Sequence, residues 1–158
     1  MSKPLLTALA AACALALPAL AHGRTLALTA QLKNYGGDGA YLAVYLTDAK
    51  GAYVRTLWVA GGKAKYYKHL SDWSRLSAGD ARRLNGVTGA SVGAGRTLKV
   101  TADLADALID AGYEIRIDAA AEDMRDSPSE VRMPLSTASV GKPQPGRQYI
   151  QSVTVQLQ

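Results

Sequence analysis

The chain has 158 residues and a formal net charge of +5, with 18 Lys and Arg against 13 Asp and Glu. Its single cysteine, Cys13, excludes a disulfide-stapled scaffold. The mild basic excess is compatible with an acidic partner or a phosphate-bearing ligand, and we predict no nucleic-acid partner.

The first 21 residues predict export. Lys3 precedes an apolar run from Leu5 to Leu17, and Ala19-Leu20-Ala21 follows as an A-x-A cleavage site, which is the anatomy of a secretory signal peptide. The run is too short to favour a transmembrane helix, and an uncleaved anchor is the alternative. We therefore predict a signal peptide over residues 1–21, a single periplasmic domain over residues 22–158, and no membrane span after signal removal.

The pattern after residue 22 is mostly period two, as in strands with one buried face. Two alternating segments flank Asp48-Ala49-Lys50-Gly51, which is typical turn chemistry, and predict a β-hairpin. The predicted strands are Thr25–Leu32, Ala40–Thr47, Ala52–Val59, Thr97–Thr101, Tyr113–Ala119, Glu130–Leu135 and Tyr149–Leu157. About seven short strands separated by turns predict an all-β fold, an Ig-like antiparallel β-sandwich.

The second predicted strand shows which face should be buried. Leu42, Val44 and Leu46 share one side and are predicted to face the core. Tyr41 and Tyr45 share the other side and are predicted to face outward or to line an edge.

Few segments have a helical pattern, and they predict only one or two short turns. Leu70–Leu76 predicts the first, with Ser71 as its N-cap, and Leu104–Ile109 predicts another. Neither segment is long enough to hold a fold together.

Three segments resemble a known family. The stretch from Ala40 to Trp73 has the order strand, Asp-x-x-Gly turn, V-R-T-L strand, basic segment and L-x-x-W. AGYEIRIDAAAED, from Ala111 to Asp123, and SEVRMPL, from Ser129 to Leu135, follow it. They resemble the periplasmic domain-of-unknown-function family 2271, although ADLADAL stands where that family has a W-D-G-x-D-type turn. The resemblance implies an Ig-like domain similar to that of flagellar hook-capping proteins.

The loop NGVTGAS resembles D-x-x-[S/T]-G-A-[T/S], a flavin-transferase signal that members of that family, like other exported flavoproteins, can carry. Thr88, Gly89, Ala90 and Ser91 match it, and Asn85 replaces the usual Asp. The resemblance implies that a periplasmic flavin transferase splits FAD and joins FMN to the Ser91 hydroxyl through a phosphoester. An ordinary solvated glycine loop is the alternative for these residues.

The resemblance therefore implies a small electron-transfer protein that carries covalent FMN and has no substrate of its own. By family analogy, its partner would be a PepSY-type membrane reductase. A non-catalytic Ig-like interaction module, which binds a partner through a sheet face, is the alternative function.

Other side chains near the loop in sequence are candidates for supporting roles. Tyr66, Tyr67 and Trp73 are candidates either for stacking on a flavin ring or for core packing. The basic residues are candidates for steering FAD phosphates or an acidic partner, or are ordinary solvated charge: Lys63, Lys65, Lys68, Arg75, Arg82, Arg83, Arg96 and Lys99.

The two histidines give a third, weaker function. Signal cleavage would make His22 the N-terminus, and His69 is the other histidine. An N-terminal amine and two imidazoles suit copper, so a periplasmic copper-binding protein is a further alternative. The same scarcity of histidine argues against a Ser-His-Asp hydrolase.

Overall fold

The structure is a computed structural model that describes residues 22–78 and 84–158. The predicted signal peptide, over residues 1–21, lies outside the described residues, as do Arg82 and Arg83 of the basic set. Among the described residues, no helix is long and apolar enough to cross a membrane.

Within the described residues, eight strands form two sheets. The strands are β1 (Gly23–Leu32), β2 (Tyr41–Thr47), β3 (Tyr53–Ala60), β4 (Thr88–Gly89), β5 (Thr97–Ala105), β6 (Glu114–Ala120), β7 (Ser127–Pro134) and β8 (Ile150–Leu157). One sheet has the order β5-β1-β8 and the other β4-β3-β2-β6-β7. Every pair of named strands is antiparallel except β3 and β4, so the predicted all-β sandwich of mostly antiparallel strands is confirmed.

Short helical turns connect the strands. In the part of the chain that the structure describes, one α-helix, α1, spans Ser71–Leu76, and 3-10 turns span Ala64–His69, Asp106–Leu108 and Thr137–Ser139. β5 continues to Ala105, beyond the predicted Thr101, because Ala102 and Leu104 pair with β1 and Leu104 is buried. The helical turn predicted at Leu104–Ile109 is therefore confined to three residues.

The main core lies between the two sheets, where the alternating apolar side chains of the strands meet. Leu42, Val44 and Leu46 are all fully buried there, as the alternation predicts. Complete burial of side chains of this size stabilises the fold by about 1.5–3 kcal/mol each.

The prediction for the opposite face of β2 was wrong at Tyr45, which is completely buried. The outer face of the five-stranded sheet is covered by α1 and by Leu70, and Trp73 and Tyr45 belong to a second apolar cluster in this layer. β2 is therefore buried on both faces, and Tyr41 alone of its two tyrosines stays half-buried.

Asp118 fixes this outer layer to the sheet. Its carboxylate is fully buried on β6 and accepts hydrogen bonds from the backbone N–H of Trp73 at 2.7 Å, the backbone N–H of Ser129 at 2.8 Å and the Tyr45 hydroxyl at 3.1 Å. The predicted N-cap was wrong, because Leu70 occupies that position without a side-chain bond and Asp118 satisfies the first turn instead.

Burial of the charged Asp118 carboxylate costs free energy. Burial raises the pKa of its carboxyl above the ordinary value, although three donors favour the carboxylate. A raised folded-state pKa favours folding at acidic pH, and that contribution is lost as the pH rises through the folded-state pKa. The three hydrogen bonds offset the cost of holding the charge in the interior.

A second buried carboxylate joins the two sheets. Glu130 of β7 is almost fully buried and accepts the backbone N–H groups of Arg147, Gln148, Tyr149 and Ile150 at 2.8–3.0 Å. These residues lead into β8, which belongs to the other sheet. Removal of this carboxylate would leave several consecutive backbone donors without partners.

A comparison of three aspartate substitutions tests the burial of both faces of β2. We expect Val44→Asp and Tyr45→Asp each to lower the free energy of unfolding by more than about 3 kcal/mol, because each places an unpaired charge in the interior. Val54→Asp is the control, since Val54 is an exposed large apolar residue on β3, and its effect should stay within about 0.5 kcal/mol. Urea unfolding midpoints measure all three, and a Tyr45→Asp midpoint close to that of Val54→Asp would show that α1 does not cover this face.

Candidate functional site

A cavity of about 460 Å³ lies at the end of the five-stranded sheet where β2 begins and where β3 and β6 end. Its walls come from the β1–β2 loop, the segment after β3, the loop after β4 and the segment after β6. The lining residues are Asp38, Gly39, Tyr41, Lys63, Tyr66, His69, Ser91, Ala120, Ala121, Glu122, Asp123 and Met124.

The candidate acceptor Ser91 lines this cavity and is exposed. Its loop is held from both sides. The backbone N–H of Gly61 donates to the Gly89 carbonyl at 2.7 Å, and Ala40 and Val92 exchange two backbone hydrogen bonds at 2.7 and 2.9 Å. Among the described residues, no group is hydrogen-bonded to the Ser91 hydroxyl, so no partner in this part of the chain competes for it.

The other residues of the predicted signal do not line the cavity. Thr88 and Gly89 form the two-residue strand β4, parallel to Val59 and Ala60, which the sequence pattern did not predict. Thr88 and Ala90 are exposed, and Asn85 lies in an exposed turn before β4. Of the five signal residues, Ser91 is thus the one that the structure brings to the cavity wall.

Two glycines allow the close packing around this loop. A Cβ atom at Gly89 would lie 2.6 Å from the Trp58 ring, and one at Gly39 would lie 2.7 Å from the Ser91 Oγ. The requirement for glycine at residue 89 is therefore steric, since Gly89 is not among the glycines with positive φ.

The predicted aromatic candidates divide between the cavity and the core. Tyr66 lines the cavity and packs edge-to-face against Tyr41 with ring centroids 5.8 Å apart. Tyr67 donates its hydroxyl to the Gly61 carbonyl at 2.8 Å and packs on the buried Trp73. Tyr41 was missed as a site residue, because only the fold brings the start of β2 beside Tyr66.

The charges around the cavity are mixed. Lys63 lines it, and the Lys65 ammonium lies 4.9 Å from the centroid of the Tyr66 ring. Asp38, Glu122 and Asp123 also line it and are exposed carboxylates. Lys68, Arg96 and Lys99 are exposed and do not line the cavity, and Arg75 pairs with Asp72 at 3.1 Å. The members of the predicted basic set that the structure describes therefore do not form a uniform anion-binding surface.

The two histidines lie far apart. His69 lines the cavity, and its Nδ1 lies 3.1 Å from the Asp126 Oδ2. His22 precedes the first residue of β1, a strand of ten residues that spans about 33 Å. Leu32, at the other end of β1, is the residue that hydrogen-bonds the segment following Ser91. Among residues 22–78 and 84–158, no group of three or more His, Cys, Asp or Glu is placed to hold a metal ion. The structure thus does not bring the two predicted copper ligands together.

Alanine substitutions at two neighbouring glycines test the packing of the loop. We expect Gly89→Ala to lower the free energy of unfolding by about 1–3 kcal/mol, because its Cβ would overlap the Trp58 ring. Gly62→Ala is the control, since nothing lies within 4 Å of the position its Cβ would take. Urea unfolding compares them, and equal midpoints would contradict the placement of β4 against Trp58.

Comparison with known proteins identifies a family. A family profile described as "Predicted periplasmic protein (DUF2271)" matches residues 24–152, which is most of the chain. No curated protein and no solved structure matches the chain.

Proposed function

The chain belongs to the DUF2271 family of predicted periplasmic proteins, and we propose that it carries FMN on Ser91 as a periplasmic electron-transfer protein. One observation carries this proposal. Ser91 is exposed and lines the cavity of about 460 Å³, and its hydroxyl has no hydrogen-bond partner among the described residues.

The size and lining of the cavity suit a flavin. Ligand cavities that bury a small organic molecule have volumes of about 300–1,000 Å³. Tyr41, Tyr66 and Met124 supply apolar surface for a planar ring, and Lys63 supplies one cation to a lining that also carries Asp38, Glu122 and Asp123. The residues present fit FMN: Ser91 would hold its phosphate, and Tyr41 and Tyr66 would offer aromatic surface to its ring.

The attachment chemistry requires an accessible alcohol. Ser91 Oγ would form a bond to the FMN phosphorus of FAD while the pyrophosphate bond breaks, so AMP leaves and the hydroxyl proton is released. A periplasmic flavin transferase must reach the loop to catalyse this exchange. The exposed residues Asn85, Thr88 and Ala90 give the transferase a surface to read outside the cavity.

In this function, the flavin supplies the redox chemistry and the domain holds and shields it. The cavity lies at one end of the sandwich, where a partner can approach it without unfolding any strand. A membrane reductase of the PepSY type is the partner that family analogy suggests.

The alternative function, an interaction module that binds through a sheet face, has less support. The outer face of the five-stranded sheet is covered by α1 and its flanking residues. The outer face of the three-stranded sheet carries Ala27, Thr29 and Gln31 of β1, none of which offers a large apolar anchor.

Mass spectrometry of protein made together with an active flavin transferase and ample FAD tests the proposal. We expect the mass of one FMN less one water to be added to the wild-type protein, and the modified peptide to contain Ser91. Ser91→Ala should abolish the adduct, and Ser91→Thr should keep it, because both Ser and Thr supply an alcohol. An unmodified wild-type mass under these conditions would refute the proposal.

Two further variants separate the acceptor from the recognition residues. Thr88→Ala should reduce the yield of adduct without abolishing it, since Thr88 is exposed on β4 and does not line the cavity. Asn85→Asp restores the usual signal and should raise the yield. None of these exposed substitutions should change the free energy of unfolding by more than about 0.5 kcal/mol.

A further inference from the structure

We propose that the open edge of β5 pairs with β5 of a second copy of this chain, and that the protein thereby forms a two-fold symmetric homodimer. This inference does not depend on a flavin, since none of the described lining residues of the cavity belongs to β5. It rests on the backbone groups and side chains of Thr97–Ala105.

Of the two edges of the three-stranded sheet, the fold covers one and leaves the other open. The strand order β5-β1-β8 makes β5 and β8 the edge strands. The segment before β8 covers the edge of β8, because the backbone N–H groups of Gly141 and Gln144 donate to the carbonyls of Val155 and Val153 at 2.9 and 2.8 Å. β5 has nine residues, and within the described part of the chain its strand partner is β1 alone.

The edges of the five-stranded sheet are protected by other means. β4 has only two residues, and β7 carries Pro128 and Pro134. Short strands and prolines are common protections of a sheet edge against pairing with another chain. β5 has neither protection, since it is long and contains no proline. It is therefore the strand edge to which a second chain can add.

The pairing of β1 shows which backbone groups of β5 face the open edge. Thr25 exchanges both of its backbone hydrogen bonds with Gln158, on the β8 side, so its partner Asp103 directs its N–H and C=O away from β1. Arg55 of β3 agrees with this direction, because its guanidinium donates to the Asp103 carbonyl at 3.0 Å. A carbonyl oxygen has two lone pairs, so this contact leaves room for a second donor. The residues whose backbone groups face the open edge are Thr97, Lys99, Thr101, Asp103 and Ala105.

The side chains of these exposed residues are complementary to themselves. When two copies of β5 pair antiparallel about a two-fold axis at Thr101, Lys99 lies opposite the partner's Asp103, and the same pair forms again on the other side of the axis. Opposite charges placed directly across two strands stabilise their pairing, and like charges destabilise it. An axis at Lys99 or at Asp103 would oppose like charges, and an axis between these positions and Thr101 would leave each charge without a direct partner. The charges therefore specify the register centred on Thr101.

The core-facing side of β5 has apolar surface that a second strand would cover. Leu98 and Ala102 pack against the core but are only half-buried, although they alternate with buried residues. In the register centred on Thr101, Leu98 lies opposite the partner's Leu104, and Ala102 lies opposite the partner's Val100. Removal of this remaining apolar surface from water favours association.

The symmetry of this contact limits the assembly to two chains. Each copy contributes the same strand edge, so the contact is isologous and both open edges are used in one dimer. The covered edge of β8 gives no second site for growth on the three-stranded sheet. The proposed partner is therefore one further copy of this chain.

Sedimentation equilibrium of the purified mature protein, over a range of concentrations, tests the proposal. We expect the wild-type mass to approach that of two chains as the concentration rises. Lys99→Asp should raise the dissociation constant of the dimer at least about tenfold, because it opposes like charges at two places, and Asp103→Lys should do the same. The double variant Lys99→Asp/Asp103→Lys restores opposite charges and should return the dissociation constant to within about threefold of the wild-type value.

Two further variants separate the edge from general effects of charge. Lys142→Asp makes the same change of charge in the segment that covers β8, and it should leave the dissociation constant unchanged. Thr101→Pro removes the central N–H that faces the open edge and should prevent dimerisation, while the pairing with β1 is kept. Its urea midpoint should be independent of protein concentration, whereas the wild-type midpoint should rise with concentration.

Three results would overturn the proposal. The first is a wild-type protein that stays monomeric at its highest soluble concentration. The second is a dimer whose dissociation constant is unchanged by Lys99→Asp, Asp103→Lys and Thr101→Pro, because such a dimer would use another surface. The third is growth beyond two chains, which a closed two-fold contact does not allow. None of these results bears on the attachment of FMN to Ser91.

Discussion

The hydrogen bonds of the buried Asp118 carboxylate hold together the end of the molecule that carries the candidate site. The carboxylate gathers the backbone N–H of Trp73 from α1, the backbone N–H of Ser129 from β7 and the hydroxyl of Tyr45 from β2. Three separate parts of the chain are thereby tied to one point on β6. α1 directly follows the 3-10 turn that carries Tyr66 and His69, and Ser129 lies three residues after Asp126. These three hydrogen bonds therefore fix the segment that carries Tyr66 and His69 relative to β6 and β7.

Glu130 of β7 makes a second connection of the same kind. Its carboxylate draws in the backbone from Arg147 to Ile150 and so links the five-stranded sheet to β8 of the three-stranded sheet. Apolar packing between the sheets supplies most of the stabilisation, but it is not directional. The hydrogen bonds of the two buried carboxylates are directional, because each carboxylate accepts several donors whose positions are fixed by secondary structure. The candidate site lies at an edge that both of them organise.

The sequence predicted the strands well and the site only in part, for physical reasons. Alternation identifies the two faces of β2, and Val44 lies in the core as predicted, but alternation does not say whether the second face is covered, so Tyr45 was misjudged. Ser71 was a reasonable N-cap by local rules, yet the donor it would have satisfied is bonded by Asp118, 45 residues away from Trp73. β4 has two residues and no period to detect. Motif resemblance predicted Ser91, whereas Tyr41 and His69 join it through long-range contacts that no local pattern records.

If Ser91 is the covalent anchor of a flavin that the cavity holds, the absorbance of the unfolded protein tests this most directly. The protein, made in cells with an active flavin transferase, is denatured in urea and passed over a sizing column while flavin and protein absorbance are followed together. We expect flavin absorbance to elute with the unfolded wild-type chain and to be missing from the Ser91→Ala chain. Flavin that elutes separately as a small molecule, or a colourless wild-type chain, would contradict it.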